Sequence, residues 1–247
     1  MARAILWPTI AMLVVLALLL TLGTWQLFRK GEKEALIATV SARAHGAAVS
    51  LPPRHDWPQL DLEALDYQKV RLTGAFQPAE RHVYTILPET RGRAAQPGWW
   101  VYVRLVLAEG GSVFVNRGFV PYAQKELSSR PASVTPIGTV NIEGLVRRPE
   151  GRGSFTNTDD PARNIFYARD PALFARSLAV DDVAPFTVEQ TTPNATDLPL
   201  AGQTRVTFPN RHLEYALTWY GLAATLVAIW GVFVAGRLRG RRDDVAG

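Results

Sequence analysis

The order of apolar and polar positions divides the chain into three stretches. From Ile5 to Phe28, and again from Tyr215 to Gly236, no charged residue occurs. An α-helix rises about 1.5 Å per residue, so each run exceeds the roughly 20 residues needed to cross about 30 Å of hydrocarbon. The first holds eleven Leu, Ile and Val between Ile5 and Thr24, worth on the order of −3 to −7 kcal/mol toward insertion. The second is richer in Ala and Gly and offers a closer packing surface. Between the runs, from Tyr67 onward, short alternating segments punctuated by Pro and Gly predict an antiparallel sheet. Val70 and Leu72 alternate with Arg71 and Thr73. Trp99–Leu107 and Ser112–Val120 read as strands joined through Ala108-Glu109-Gly110-Gly111 as a hairpin, and Thr139–Arg147 is a further strand.

Breakers and caps complete the outline. Residues 32–44 continue the first helix until Leu51-Pro52-Pro53 ends it. Asp170 as N-cap with Pro171 at the first position predicts a short helix over Ala172–Ala179, whose Leu173, Phe174 and Leu178 can cover a sheet face. Residues 148–163 and 190–201, rich in Gly, Pro, Asn and Asp, read as loops. The second long helix is expected to begin at Asn210, capping after Pro209. The expected fold is a membrane protein of α+β class. Its parts are an N-terminus at 1–4, a first transmembrane helix at 5–28, a mainly antiparallel β domain with one or two short helices at 29–209, a second transmembrane helix with its outer cap at 210–236, and a basic tail at 237–247.

Flanking charge sets the orientation. Arg3 precedes the first helix, and Arg237, Arg239, Arg241 and Arg242 follow the second, which places both termini in the cytoplasm and the central domain in the periplasm of a bacterial inner membrane. The apolar core of the first run is longer than a signal peptide's, and Thr24-Trp25-Gln26 follows it rather than a small-x-small site, so it reads as a retained anchor. The net charge of +5 owes much to the C-terminal arginines, a topology signal rather than a nucleic-acid footprint. The absence of Cys excludes disulfides, thiolate metal sites and covalent c-type heme attachment. No hydrolase, protease or NTPase motif is present, so the chain is not expected to be an enzyme.

The candidate chemistry gathers at the helix ends. His212 stands at the mouth of the second run, and steps of three and four from it reach Tyr215, Ala216, Trp219, Leu222 and Ala223. Neutral imidazole binds heme iron, yet a His beside Tyr and Trp is equally an anchor in an interfacial aromatic belt. The first helix ends in the same leaflet with Trp25, which can stack, Gln26, which can hydrogen-bond across helices, and Arg29, which can pair a carboxylate such as a heme propionate. The other histidines, His45, His55 and His82, lack metal-site spacing. In Val115-Asn116-Arg117-Gly118, Asn116 and Gly118 mark a bulge or sheet edge. Trp99 and Trp100 fall on opposite faces of a regular strand, and an exposed one would mark a partner surface.

Four segments, LGTWQLFR at Leu22–Arg29, PGWW at Pro97–Trp100, VNRGFVP at Val115–Pro121 and GQTRVTFPNRHLEYALTWYGLA at residues 202–223, resemble the Surfeit locus protein 1 (Shy) family of cytochrome c oxidase assembly factors. The resemblance implies two membrane helices around an external domain, and heme a held as cargo for oxidase subunit I. His212 would be the iron ligand and metal site, Trp25, Gln26, Tyr215 and Trp219 would line the pocket, and Arg29 or Arg211 would meet the propionates. The enzyme that makes heme a is a second candidate partner, besides the lipid bilayer. A scaffold that stabilises subunit I without carrying heme is the alternative. The chain departs from the family pattern at Glu32, Phe119 and Phe166, where Trp is usual, at Arg104, where Pro is usual, and at Arg211, where Asn is commoner; the first four bear on partner contacts in the outer domain.

Overall fold

The computed structural model describes residues 2–89, 94–133, 135–204, 206 and 208–246, with side chains from 5 to 237 and at 239. Arg3, Arg241 and Arg242, read above as topology signals, lie outside the described side chains. The chain divides into two units, one helical and within residues 1–39 and 207–247, the other spanning Val40–Val206.

The helical unit pairs α1 (Ala2–His45) with α4 (His212–Ala246). Gln26 meets His212, and Thr24 and Gly23 meet Tyr220, so the helices run antiparallel. One series of less exposed positions runs along α1 at Ile5, Thr9, Met12, Leu16, Leu19, Gly23, Gln26, Lys30 and Lys33, flanked by Leu22; another runs along α4 at His212, Ala216, Trp219, Ala223, Leu226, Trp230 and Phe233, flanked by Tyr220 and Val234. Both series step alternately by four and three, the heptad spacing that keeps one stripe of a helix against its partner. Leu6, Trp7, Val14, Phe28, Leu217, Ile229 and Val232 point outward and are exposed. Each helix is long and apolar enough to cross a membrane. The second helix begins at His212 rather than Asn210. Arg211 offers the carbonyl that accepts from Tyr215 N, while the Asn210 side chain still accepts from His212 N at 3.3 Å.

The second unit is a sheet in the order β1–β2–β3–β4–β6–β5, formed by β1 (Val49–Ser50), β2 (Lys69–Leu87), β3 (Gln96–Leu107), β4 (Ser112–Pro121), β5 (Thr139–Arg147) and β6 (Val183–Gln190). β5 pairs back onto β2 from Lys69 to Ala75, closing the sheet into a barrel. Residues 69–75 of β2 serve β5 and residues 74–87 run with β3, with Gly74 and Ala75 pairing on both sides and a register shift against β3 between Phe76 and Glu80. The antiparallel expectation holds for four of the pairings, but β1–β2 and β4–β6 are parallel. Neither β1 nor β6 was expected, since β1 is two residues long and Val183–Gln190 is buried on both faces and so does not alternate.

Val70, Leu72, Val101, Val103, Val115, Val188 and Phe186 fill the interior. α2 (Leu62–Leu65) is a single turn capped by Asp61, and a second cluster of Tyr102, Phe114 and Phe166 lies under α3 (Pro171–Leu178), which inserts Phe174 among them. Asp170 caps α3 by accepting from Ala172 N and Leu173 N, as its sequence predicts. The bulge expected at Asn116–Gly118 is present, because Asn116 pairs with Tyr102 and Phe119 with Trp100. Gly118 is required there: its φ is +131° and a Cβ would overlap the Leu200 carbonyl. Phe119 and Phe166 are buried core residues, so these departures from the family pattern alter packing rather than an exposed contact. Trp99 is buried and Trp100 half-buried, so neither is the exposed tryptophan that would mark a partner surface.

Candidate functional site

The polar residues of the helix pair gather at one end of its seam. His212 is the first residue of α4, and its Nδ1 lies 2.7 Å from Gln26 Oε1 of α1. A carboxamide oxygen accepts, so Nδ1 carries the hydrogen and Nε2 keeps its lone pair, the arrangement by which an outer hydrogen bond orients an imidazole for a metal. Among the described residues Nε2 has no protein partner. Asn210 fastens the start of α4 to α1 by donating from Nδ2 to the Lys30 carbonyl at 3.3 Å, while Lys33 Nζ stands 5.1 Å from the centre of the Phe208 ring. Neither contact was foreseen from sequence, where Asn210 reads only as a cap.

One and two turns deeper, small residues let the helices close. Ala216 and Ala223 are buried, and a Cβ on Gly23 would lie 2.8 Å from the Tyr220 ring. The Tyr220 hydroxyl reaches Thr24 Oγ1 at 3.0 Å. This contact closes one lateral side of the pair. In an antiparallel heptad arrangement, positions 22, 25 and 29 of α1 and 211, 215 and 222 of α4 then fall on the opposite side. Trp25 is 51% and Tyr215 54% exposed there. Arg29 pairs with Glu32 at 2.6 Å and Arg211 is exposed. The Trp219 indole N–H is buried in the seam without a hydrogen-bond partner.

Gln26, His212 and Trp219 therefore share the seam, while Trp25, Arg29, Arg211 and Tyr215 line its open flank. Tyr215 and Leu222, placed with His212 on one face by counting threes and fours, lie beside the seam, because heptad steps from His212 reach Ala216, Trp219 and Ala223 instead. His45, His55 and His82 belong to other surroundings. His82 is buried in the barrel between Glu80 and Asn164, His45 bonds the Ser41 carbonyl, and His55 pairs with Asp56. Among the described residues no group of three His, Asp or Glu is placed to hold a metal ion.

The open flank, the orienting carboxamide and the free imidazole nitrogen are compatible with a planar metal macrocycle carrying acidic substituents. Comparison with known proteins narrows the context. The model of the SURF1 family matches residues 13–224. The chain belongs to the SURF1 family. A SURF1-like protein of Monosiga brevicollis is 37% identical over 228 residues, covering 89% of this chain and 85% of that one. Surfeit locus protein 1 of Rattus norvegicus is 32% identical over 225 residues, 85% and 70% of the two chains, and that of Homo sapiens 32% over 222 residues, 85% and 71%. The SURF1 match includes Gln26, Asn210, His212 and Trp219 but stops at residue 224, leaving out Leu226, Trp230 and Phe233 of the α4 seam. The family match thus contains the end of the helix pair that carries the imidazole.

Proposed function

We propose that the chain is a membrane-anchored, non-enzymatic assembly factor for cytochrome c oxidase that holds heme a as cargo at the outer ends of its two helices and passes it to subunit I. The observation that carries this reading is the Gln26–His212 hydrogen bond. It spends the imidazole's donor on a protein acceptor and leaves Nε2 to meet iron. The macrocycle would lie against the flank of Trp25 and Tyr215, with Arg29 or Arg211 paired to its propionates.

The membrane reading rests on the outer surface of the pair, which large apolar side chains cover along two helices of bilayer length. Trp7 and Trp25 are 18 residues apart, about 27 Å of helix, which matches the spacing of aromatic belts across hydrocarbon. The Arg-rich flanks support a topology with both termini in the cytoplasm and the barrel in the periplasm, in a bacterial inner membrane. A single axial bond at a lipid-facing flank permits release, which a closed cage with two ligands would oppose. The enzyme that makes heme a would supply the cargo.

The test is purification in mild detergent from cells that make heme a, followed by a visible spectrum and pigment extraction. Heme a is expected with the wild-type chain and absent from His212→Ala. Equal pigment in both rejects His212 as the ligand. Retained binding of subunit I with no pigment in either identifies a scaffold instead.

A further inference from the structure

The far half of β2 has an incomplete edge. From Glu80 to Leu87 it pairs on one side with β3. On the other side the chain's own segment at Ile165–Phe166 forms a single parallel bridge, in which Tyr84 N donates to the Phe166 carbonyl and Phe166 N to the His82 carbonyl. These two bonds fix the alternation of the strand. The even-numbered residues turn their backbone groups away from β3, and the odd-numbered ones bond to it. After Phe166 the chain leaves the edge. The Tyr84 carbonyl and both backbone groups of Ile86 are next in the row, and among the described residues nothing bonds them.

The side chains beside this edge are those of a binding surface. Ile86 is 56% and Tyr122 58% exposed. Tyr84 lies edge-on to Trp99 and packs against Tyr122 and Tyr167, while Tyr122 stacks on Trp99 at 5.3 Å. Lys125 Nζ covers the Trp99 ring at 5.1 Å. Tyrosine-rich patches over a rigid buried aromatic supply large contact area at small entropic cost.

We infer that this edge is a strand-addition site for an extended, apolar segment of a partner polypeptide, which continues the row begun by Ile165–Phe166 and lays its side chains on Tyr84, Tyr122 and Ile86. A polypeptide is specified because the unpaired groups are a backbone carbonyl and an adjacent N–H and C=O at strand spacing, which only another backbone matches in sequence. The site lies in the barrel and uses none of the helix-pair residues.

The probe is a fluorescein-labelled peptide, Val-Thr-Val-Thr-Val, titrated onto the full chain in lipid nanodiscs and followed by anisotropy. A second peptide carries an N-methyl group at the central valine, removing one backbone donor while keeping every side chain. Saturable binding is expected, weakened at least tenfold by the N-methyl group and by Ile86→Lys. Ile86→Pro, which removes the outward N–H, should act alike, and circular dichroism verifies that both variants keep their strand signal. Equal binding of the two peptides, unaltered binding by Ile86→Lys, or no saturation below about 1 mM overturns the inference. So does a photo-crosslinker at position 86 that captures only a second copy of this chain, since the edge would then be a self-contact. Heme retention by the same preparations reports separately on the helix pair.

Discussion

The barrel and the helix pair solve opposite problems with the same amino acids. In the barrel the apolar side chains turn inward, and the buried carboxylates Glu80 and Glu189 are enclosed with partners. Glu80 accepts from Arg130 and from His82, and Glu189 accepts from Tyr102, Asn116 and Thr204. In the helix pair large apolar side chains also cover the outside, and the seam mixes Leu16, Leu19, Leu226 and Phe233 with Gly23, Gln26, His212, Ala216 and two tryptophans whose indole N–H groups lack partners. The apolar outer surface follows if the surroundings differ. Water drives apolar surface inside the barrel, whereas lipid offers no such drive and leaves close packing and interhelical hydrogen bonds to hold the helices. On the proposed function, a polar group in that seam would meet the cargo from the side.

The comparison breaks most visibly in the barrel. Phe174→Ala empties a position enclosed by Tyr102, Phe114 and Phe166, and should destabilise that unit by about 3–5 kcal/mol in urea denaturation. The same truncation at outward-facing Leu217 should leave the unfolding midpoint of the barrel unchanged. Arg130→Leu is expected to match Phe174→Ala, at about 3–5 kcal/mol, because it strands the Glu80 carboxylate in the interior. Burial pushes the Glu80 pKa up, but its bonds to His82 and Arg130 outweigh this and hold it below the ordinary value. A carboxylate whose folded pKa is depressed contributes stability above its unfolded pKa of about 4.3, and the contribution is lost as pH falls through the folded value. The resistance of the wild type to denaturation should therefore fall below about pH 4, with that part of the acid sensitivity absent from Glu80→Gln.

Next in size is Gly23→Ile. Its side chain must displace Tyr220, because the first carbon alone would already stand 2.8 Å from that ring. Overpacking of this kind costs about 1–3 kcal/mol, and here it should separate the helices. Reduced crosslinking between cysteines introduced at Leu19 and Ala223 would report it, with barrel stability unaltered. Gln26→Leu should weaken cargo binding about 10- to 100-fold, the usual effect of removing a partner that orients a metal-binding His, and the visible band should shift. An unchanged affinity would show that the His212 ring is oriented by something else.

Most of this arrangement was legible before the structure, and the exceptions share a cause. Uncharged length announced α1 and α4, and turn and cap residues announced the β3–β4 hairpin and α3. The imidazole and its carboxamide were both singled out, because each is a polar group at an apolar boundary. Their contact was not legible, since heptad spacing is diluted where the outward face is as apolar as the inward one. Counting by threes and fours therefore grouped Tyr215 with His212. β6 carries no alternation to read because it is buried on both faces, and the register shift and Pro78 interrupt the alternation of β2. Long-range closure of β2 onto β5 has no local signature at all.

The smallest expected effect separates the two regions most cleanly. Tyr220→Phe removes the hydroxyl that meets Thr24 Oγ1 while keeping the ring that packs on Gly23. In a bilayer such bonds average about 0.6 kcal/mol, because helices apart in the membrane also find partners for their polar groups. Thr24 has one already, donating to the Leu20 carbonyl at 2.8 Å. The barrel counterpart is Tyr102→Phe, which deprives Glu189 of a buried donor; it should cost about 1–3 kcal/mol, the desolvation penalty of an acceptor left short. If Tyr220→Phe, assayed by helix crosslinking, proves the costlier of the two, the seam is held by its polar contacts rather than by packing. The open flank would then have no claim to be the weaker side through which cargo leaves.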